Sequence, residues 1–379
     1  MWHEFRWPRW LVPFLPFSSA RFGPARRWVR AVDYFRTPNG VVREVLPVQT
    51  LPAQRFTECG PIPARFYRRL QSTVPAASII ELRHARLLGP DGWIIGRRDS
   101  YLVDASFWAY PDAEMKVRDH YMLRRRRPPP LRRLSGRTLS LASDFAVGGF
   151  GHFLHDSATR LALVERAGID PRGFDWIYWP HLCSPATEAL IQASGLPREK
   201  ILTWPEPHDI ECEHLTATTF PGRPGHIAPF YADFLRRRFA PPPSGARRRL
   251  YLARTGFRRN FRNVSAIEAV LADHGFETCR PHEDPDIFAK CAAATHVVAM
   301  EGANFFNVFA CPVGAKALLI LPDAAQTMPY ALTLGLSAGL NLHLLAAHSL
   351  DQPAIDPGIA DAFLDPGTLA AALRKMDSA

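Results

Sequence analysis

Arg249–Gly302 reads RLYLARTGFRRNFRNVSAIEAVLADHGFETCRPHEDPDIFAKCAAATHVVAMEG, and its punctuation decides the fold. Arg249–Arg254 is a short apolar run with the length of a strand. Ser265-x-x-Glu268 has the spacing of a capping box, which opens a helix to His274 with Gly275 as its stop. Phe276–Arg280 is the next strand, and Asp284 or Asp286 opens a helix through Ala293. Thr295–Met300 (THVVAM) is β-branched and uncharged, the composition of a strand covered on both faces of a parallel sheet. Glu301-Gly302 turns into Ala303–Phe309, and Ala317–Leu321 is a fourth strand. Such alternation builds a parallel sheet with right-handed crossovers.

The same rhythm occurs upstream. Arg137–Phe145 is strand-like, Gly148–Gly151 forms a Gly-rich turn, and His152–Ala167 has helical periodicity ending at Gly168. Phe174–Trp179 is a strand, Ser184 or Pro185 opens a helix to Ser194, and Ile201–Trp204 and His214–Phe220 are further short strands. Ahead of this run, Ile79–Phe107 alternates polar and apolar residues around Gly89-Pro90-Asp91-Gly92, as a hairpin or meander does. Pro241–Gly245 (PPPSG) punctuates the chain like a linker. The expected architecture is α/β and GT-B-like, with two Rossmann-like domains facing across a cleft and a small β-meander subregion in the N-terminal half. The domains are an aromatic and basic arm over 1–30, an acceptor domain over 31–240 with its meander at 79–107, a nucleotide-sugar domain over 246–350, and a C-terminal helix region over 351–379. No G-x-G-x-x-G follows a strand, which argues against a dinucleotide-dependent dehydrogenase.

Composition narrows the class. The 379 residues are 47% hydrophobic and 22% charged, which excludes a disordered or coiled-coil chain. The net charge of +10 is concentrated in two places. Residues 116–137 hold nine basic and one acidic residue, and 247–262 hold seven Arg and no acid, whereas 263–379 hold 5 basic and 13 acidic. A nucleic-acid binder spreads its basicity along a face, so local patches suit a phosphate pocket, an anionic membrane surface or a solvated loop. The six cysteines include no C-x-x-C pair and read as reduced thiols of a cytosolic protein. The first 30 residues interleave Trp2, Trp7, Trp10 and Trp28 with Arg6, Arg9, Arg26 and Arg27, a composition that suits either a membrane interface or an arm packed on the core. The expected location is cytoplasmic, peripheral to the inner membrane where the arm engages it.

Ligands of open parallel sheets sit beyond the carboxyl ends of the strands. In the second run those ends carry Arg254, Arg280-Pro281-His282, Glu301-Gly302-Ala303-Asn304 and Pro322-Asp323, with Arg258, Arg259 and Arg262 in the loop after Arg254. A pyrophosphate fits between Arg254 and the helix start at Gly302, and the Glu301 carboxylate suits ribose hydroxyls. The alternative is that Glu301 only complements its helix dipole and the arginines form a solvated loop. In the first run His152 and Asp156 share a helix face at i,i+4, with Arg160 one turn on. An Asp oriented by His or Arg can accept a hydroxyl proton; the pair is otherwise an ordinary surface contact. The groups His152/His155/Asp156 and His208–His214 lack the spacing of a known metal-site class, so no metal and no cofactor are expected.

Three blocks carry a resemblance: GGFGHFLHDSATRLALVERAG, RRLYLARTGFRRNFRNVSAIEAVLADHGFE and IFAKCAAATHVVAMEGANFFNVFACPVGAKALLILP. In order and spacing, from about Ile79 to Leu321, the chain resembles glycosyltransferase family 61. The resemblance implies a GT-B-type fold and inverting, apparently metal-independent sugar transfer from a nucleotide sugar. UDP is the default leaving group, and the acceptor is a glycan or lipid-linked glycan in surface or capsular polysaccharide biosynthesis. The family's helix His and acid fall on His152 and Asp156, and its Pro-Arg-Leu arginine on Arg160. Arg254 ends the first strand of the second domain, Glu301-Gly302-Ala303 stands for His-Gly-Ala, and Asn307 matches the family's Asn. This chain departs in having Glu301 for His, Phe153 for Trp and an extra His155. The competing classes are a degenerate nucleotide-sugar or glycan binder and, less favoured, a basic nucleic-acid-binding protein.

Overall fold

The structure is a computed structural model; it describes residues 27–34, 40–53, 55–96, 100–107, 130–181, 184–203, 209–254, 260–322, 329–349 and 361–378. The arm over 1–26, Arg258, Arg259, His208 and Asp323 lie outside the described residues. In chain order the early strands are β1 (Arg27–Val29), β2 (Gly40–Leu46), β3 (Gln49–Thr50), β4 (Phe56–Glu58), β5 (Thr73–Val74) and β6 (Ala77–Leu88). Then come β7 (Trp93–Gly96), β8 (Ser100–Leu102), β9 (Leu131–Ser140), β10 (Trp176–Tyr178), β11 (Ile201–Leu202) and β12 (Asp209–Thr218). The later strands are β13 (Arg248–Leu252), β14 (Glu277–Cys279), β15 (Ala294–Met300), β16 (Lys316–Pro322), β17 (Asn341–Ser349) and β18 (Ala362–Phe363). The helices are α1 (Ala31–Tyr34), α2 (Val103–Ser106), α3 (Phe150–His152), α4 (Arg160–Arg166), α5 (Pro185–Ala193) and α6 (Pro229–Phe239). They continue with α7 (Val264–Asp273), α8 (Ile287–Ala292), α9 (Tyr330–Ser337) and α10 (Pro366–Ser378).

The chain divides into two units, one of residues 1–49, 75–183 and 195–224, the other of 50–74, 184–194 and 225–379. The division falls at Pro224/Gly225, so the Pro-rich stretch 241–245 lies inside the second unit. Residues 50–74 also belong to that unit, because β4 adds a parallel strand beside β17, with Cys59 N donating to Leu344 O at 2.8 Å. A three-residue strand carries no periodicity that names its partner. β1 pairs with β8, so residues 27–29 are part of the first sheet and not of an arm.

In the first unit the meander is not a separate subregion. β6, β7 and β8 pair antiparallel and continue through β12 into β9, β10 and β11, making one sheet of nine strands with β2 on β6. β12 is the seam, antiparallel to β6 and parallel to β9. The sheet is therefore half meander and half Rossmann-like. Asp209–Thr218 is an interior strand that begins five residues before the expected His214–Phe220 strand. Its core side gathers Ile80, Leu82, Leu87, Leu134, Ile210 and Leu215.

The second unit matches the expected alternation more closely. β13 to β17 are all parallel in the order β14-β13-β15-β16-β17. Tyr251, Val298, Leu318 and Leu345 pack with Ile267 and Leu271 of α7 and Leu369, Leu373 and Met376 of α10. The alternate residues Leu250, Val297 and Leu319 are equally buried on the other side, so the sheet is covered on both faces. Burying each such side chain stabilises the fold by about 1.5–3 kcal/mol.

Local signals were of uneven value. Ser184 caps α5 as expected: its hydroxyl accepts from Thr187 N at 3.3 Å while Ser184 N donates to Thr187 Oγ1 at 3.0 Å. Gly168 and Gly275 end their helices with φ of 74° and 75°. The Ser265/Glu268 capping box does not form, because α7 begins at Val264 and leaves Ser265 inside the first turn. Long-range pairing sets that start: Arg262 N donates to Ala362 O at 2.9 Å and Asn263 Nδ2 to Leu364 O at 2.8 Å. The five described cysteines are unbonded thiols, and no described helix is long and apolar enough to cross a membrane.

Candidate active site

In the first unit the site begins where β9 ends. Beyond Ser140 the chain turns through Phe145, whose φ of 62° is a left-handed conformation rare for a large residue. Its N–H donates to Asp91 Oδ1 at 3.0 Å, tying this turn to the β6–β7 turn. A Cβ at Gly148 or Gly149 would meet nothing within 4 Å, so this backbone borders open space. α3 then passes into a π-helical turn, Phe153–Ala158, a form enriched at functional sites.

His152 and Asp156 meet across this turn, with Nδ1 and Oδ2 at 2.7 Å and side chains 30% and 11% exposed. Both remain partly accessible while everything behind them is packed. Ser157 Oγ donates to Leu141 O at 2.6 Å and accepts from Trp179 Nε1 at 2.9 Å. Phe153 stacks on Trp179 at 5.4 Å, and the His181 ring lies 5.7 Å from Phe153. Burial opposes charge on His152, but the hydrogen bond and charge of Asp156, with the charges of Asp144 and Asp91, outweigh it and raise its pKa. Asp91 and Asp144 are both buried, and Trp93 Nε1 donates to Asp144 at 3.3 Å.

That shift has a measurable consequence. A histidine whose native pKa is raised above its unfolded value of 6.5 stabilises the fold fully below that pH. The contribution is lost as pH rises through the native value. Above pH 6.5, Tm should therefore fall with rising pH, and His152→Gln should flatten that slope; an unchanged slope in the variant would count against the pair.

The other two residues expected here serve the fold. His155 is 4% exposed and turned into the core, where burial and then the charge of His152 push its pKa down to about 3, so it is neutral at ordinary pH. Arg160 is 1% exposed and does not touch the Asp156 carboxylate. Its Nε donates to the backbone O of Asp156 at 2.9 Å, Nη1 to Thr218 O at 2.7 Å and Nη2 to Ala105 O at 3.1 Å. The guanidinium also lies over Phe220 at 4.6 Å. Arg160 thus fastens the helix to β12 and α2, and the orientation of Asp156 falls to His152 alone among the two residues expected to supply it. Asp91, Asp144, Phe145 and His181 were missed by sequence reasoning; the Gly-Pro-Asp-Gly turn held the one signal, and it pointed to a turn.

The second-unit residues gather at one place. From β13 the chain goes through α7 to β14 on one side, then through α8 to β15 on the other side of β13. Strand order reverses here, and ligands of such sheets bind beyond the carboxyl ends of the strands at such a reversal. The register pairing Leu252 with Ala299 sets the ends of β13 and β15 side by side, with Arg254 following the first and Glu301 the second. Gly302 has φ 136° and ψ −171°, a conformation open essentially to glycine, and leads into the 3₁₀ helix Ala303–Ala310. Asn304 Nδ2 donates to Ala253 O at 2.6 Å, clamping the two strand ends together, and Asn307 Nδ2 to Asn304 O at 2.8 Å. Glu301 and Asn307 are buried. Arg259 lies outside the described residues. Among the described residues no cluster of three His, Cys, Asp or Glu side chains has the geometry to hold a metal ion.

The chain is mixed α/β with a strand-order reversal in its second unit, and residues 150–318 match a family model of glycosyltransferases. The model is that of Glycosyltransferase 61, and the match supports assigning the chain to that family. It runs from the first residue of α3 into β16, somewhat under half of the 379 residues. No curated protein matches the chain.

Proposed function

We propose that the chain is an inverting glycosyltransferase of GT-B type that moves a sugar from a nucleotide sugar, UDP-linked by default, to a glycan hydroxyl. One observation carries the reading: the family match contains both the His152–Asp156 pair and the ends of β13 and β15. Asp156, held by His152, takes the proton of the acceptor hydroxyl. The oxygen attacks the anomeric carbon on the face opposite the nucleotide, and the bond from that carbon to the diphosphate breaks. Arg254 and the N–H groups at Gly302–Ala303 stabilise the charge gathering on the departing diphosphate. Glu301 accepts from ribose hydroxyls, and Asn304 and Asn307 hold the helix start in place. The aromatic and basic arm brings the enzyme to a membrane surface bearing a lipid-linked or growing polysaccharide.

A second reading, a nucleotide-sugar binder without turnover, is favoured by Glu301, a buried carboxylate directly after β15 where a diphosphate would lie. Calorimetric titration with UDP, GDP, CMP and dTDP, with Mg²⁺ and with EDTA, tests the donor site. One nucleotide should bind selectively, and Arg254→Ala should weaken it by about tenfold or more, the loss of one charge-assisted contact. No binding to any of the four would remove the donor-site assignment. Selective binding without hydrolysis or transfer of the matching nucleotide sugar would favour the second reading.

A further inference from the structure

The first-unit sheet carries a second polar feature. A cavity of about 470 Å³ is lined by Gly40 and Val41 of β2, Glu81, Leu82 and Arg83 of β6, His214, Leu215 and Thr216 of β12, and Arg137 of β9. Three of these residues stand in register across three adjacent strands: Arg83 opposite His214, and His214 opposite Arg137. Directly opposed side chains share a face of the sheet, and like charges so placed repel. Arg132 is spent over the Trp176 ring at 5.6 Å and Arg133 on Glu211 at 3.0 Å, leaving Arg137 as the cation of β9 at this cavity. Among the described residues no carboxylate lies within ion-pair distance of the Arg83 or Arg137 guanidinium; Asp175 accepts from Arg137 N at 2.7 Å, Glu213 lies 3.7 Å from His214, and the Arg137 guanidinium covers the Phe174 ring at 4.6 Å.

The backbone at this level is distorted to make the row. His84, next to Arg83, has φ 55°, and Gly136, next to Arg137, has φ 79°. The β12–β9 register shifts between Cys212 and His214, where Gly136 N donates to Glu213 Oε2 at 2.8 Å. As a result Ala85 and Leu87 lie in the same core cluster as Ile80 and Leu82, and Arg83 and His84 both face outward. Left-handed backbone at a non-glycine residue persists where the surroundings over-determine it, often beside a ligand. An inorganic ion would leave most of the cavity unfilled, whereas its volume is within the range of small-molecule sites. The Glu81 carboxylate and Thr216 hydroxyl offer partners for sugar hydroxyls.

We infer that this cavity binds an acidic saccharide, its carboxylate or phosphate held between Arg83 and Arg137 beside His214. The cavity shares no lining residue with the His152–Asp156 pair or with Arg254 and Glu301–Asn307, so it stands or falls independently of the transferase reading. The test is calorimetry on the full chain with oligogalacturonate, its methyl ester, glucose 6-phosphate and inorganic phosphate. Oligogalacturonate or glucose 6-phosphate should bind, the better of the two naming the anion, and the neutral ester should not. Arg83→Gln and Arg137→Gln should each weaken binding by about tenfold while leaving nucleotide affinity unchanged, and Arg83→Gln should leave Tm unchanged as well. Arg83→Gln disturbs no hydrogen bond or ion pair among the described residues, which keeps the test free of folding effects. Affinity that survives both substitutions, equal binding of the ester, inorganic phosphate binding as tightly as the sugars, or no binding at all would overturn the inference.

Discussion

Asp156→Asn is expected to lower transfer by about 10²–10⁴-fold, the range a positioned general base supplies, while leaving nucleotide affinity within about twofold. The substitution is nearly isosteric and keeps one oxygen toward His152 Nδ1, now 2.7 Å from the carboxylate. It removes the charge that a hydroxyl proton needs. The donor contacts proposed above are those of Arg254 and Gly302 in the second unit, so on that reading binding and turnover should separate. Equal loss of both would instead make Asp156 a structural residue. The variant also bears on the histidine: without the Asp156 charge, the main support for a protonated His152 is gone, and the Tm slope above pH 6.5 should flatten as in His152→Gln.

Arg160→Met should cost about 3–5 kcal/mol of stability, because three buried carbonyls lose a charge-assisted donor at once. Methionine fills much of the volume but leaves the carbonyls of Asp156, Thr218 and Ala105 without the donors they now have from Arg160. Each such buried acceptor costs about 1–3 kcal/mol when stranded. Arg160→Lys should recover only part of this, since one ammonium cannot reproduce the fork spanning three elements. Denaturant unfolding measures the difference. A loss below about 1 kcal/mol with transfer abolished would place Arg160 in the reaction and not in the fold.

These two residues share one helix, and their different fates show the limit of reading spacing. His152 and Asp156 are four apart, and their contact needs only local helical geometry, so it was legible from the sequence. Arg160 lies on the same stripe, but its partners come from β12 and α2, more than fifty residues away in the chain. His155, the extra histidine beside the acid, is buried in the core where the chain takes a wider π turn at Phe153–Ala158.

What the sequence by itself determined was whatever local chemistry dictates. The uncharged β-branched run of β15 demanded cover on both faces, Gly168 and Gly275 ended helices through left-handed backbone, and Ser184 capped α5. Strand–helix alternation placed Arg254 and Glu301-Gly302 at strand ends. Only the tertiary structure decided which strands became neighbours. It set β13 beside β15 at the reversal of strand order, fused the meander to the parallel strands through β12, drew β4 against β17, and aligned Arg83, His214 and Arg137 across three strands. Pairing between distant strands uses backbone groups that every residue carries alike, so side-chain pattern names the element but not its partner.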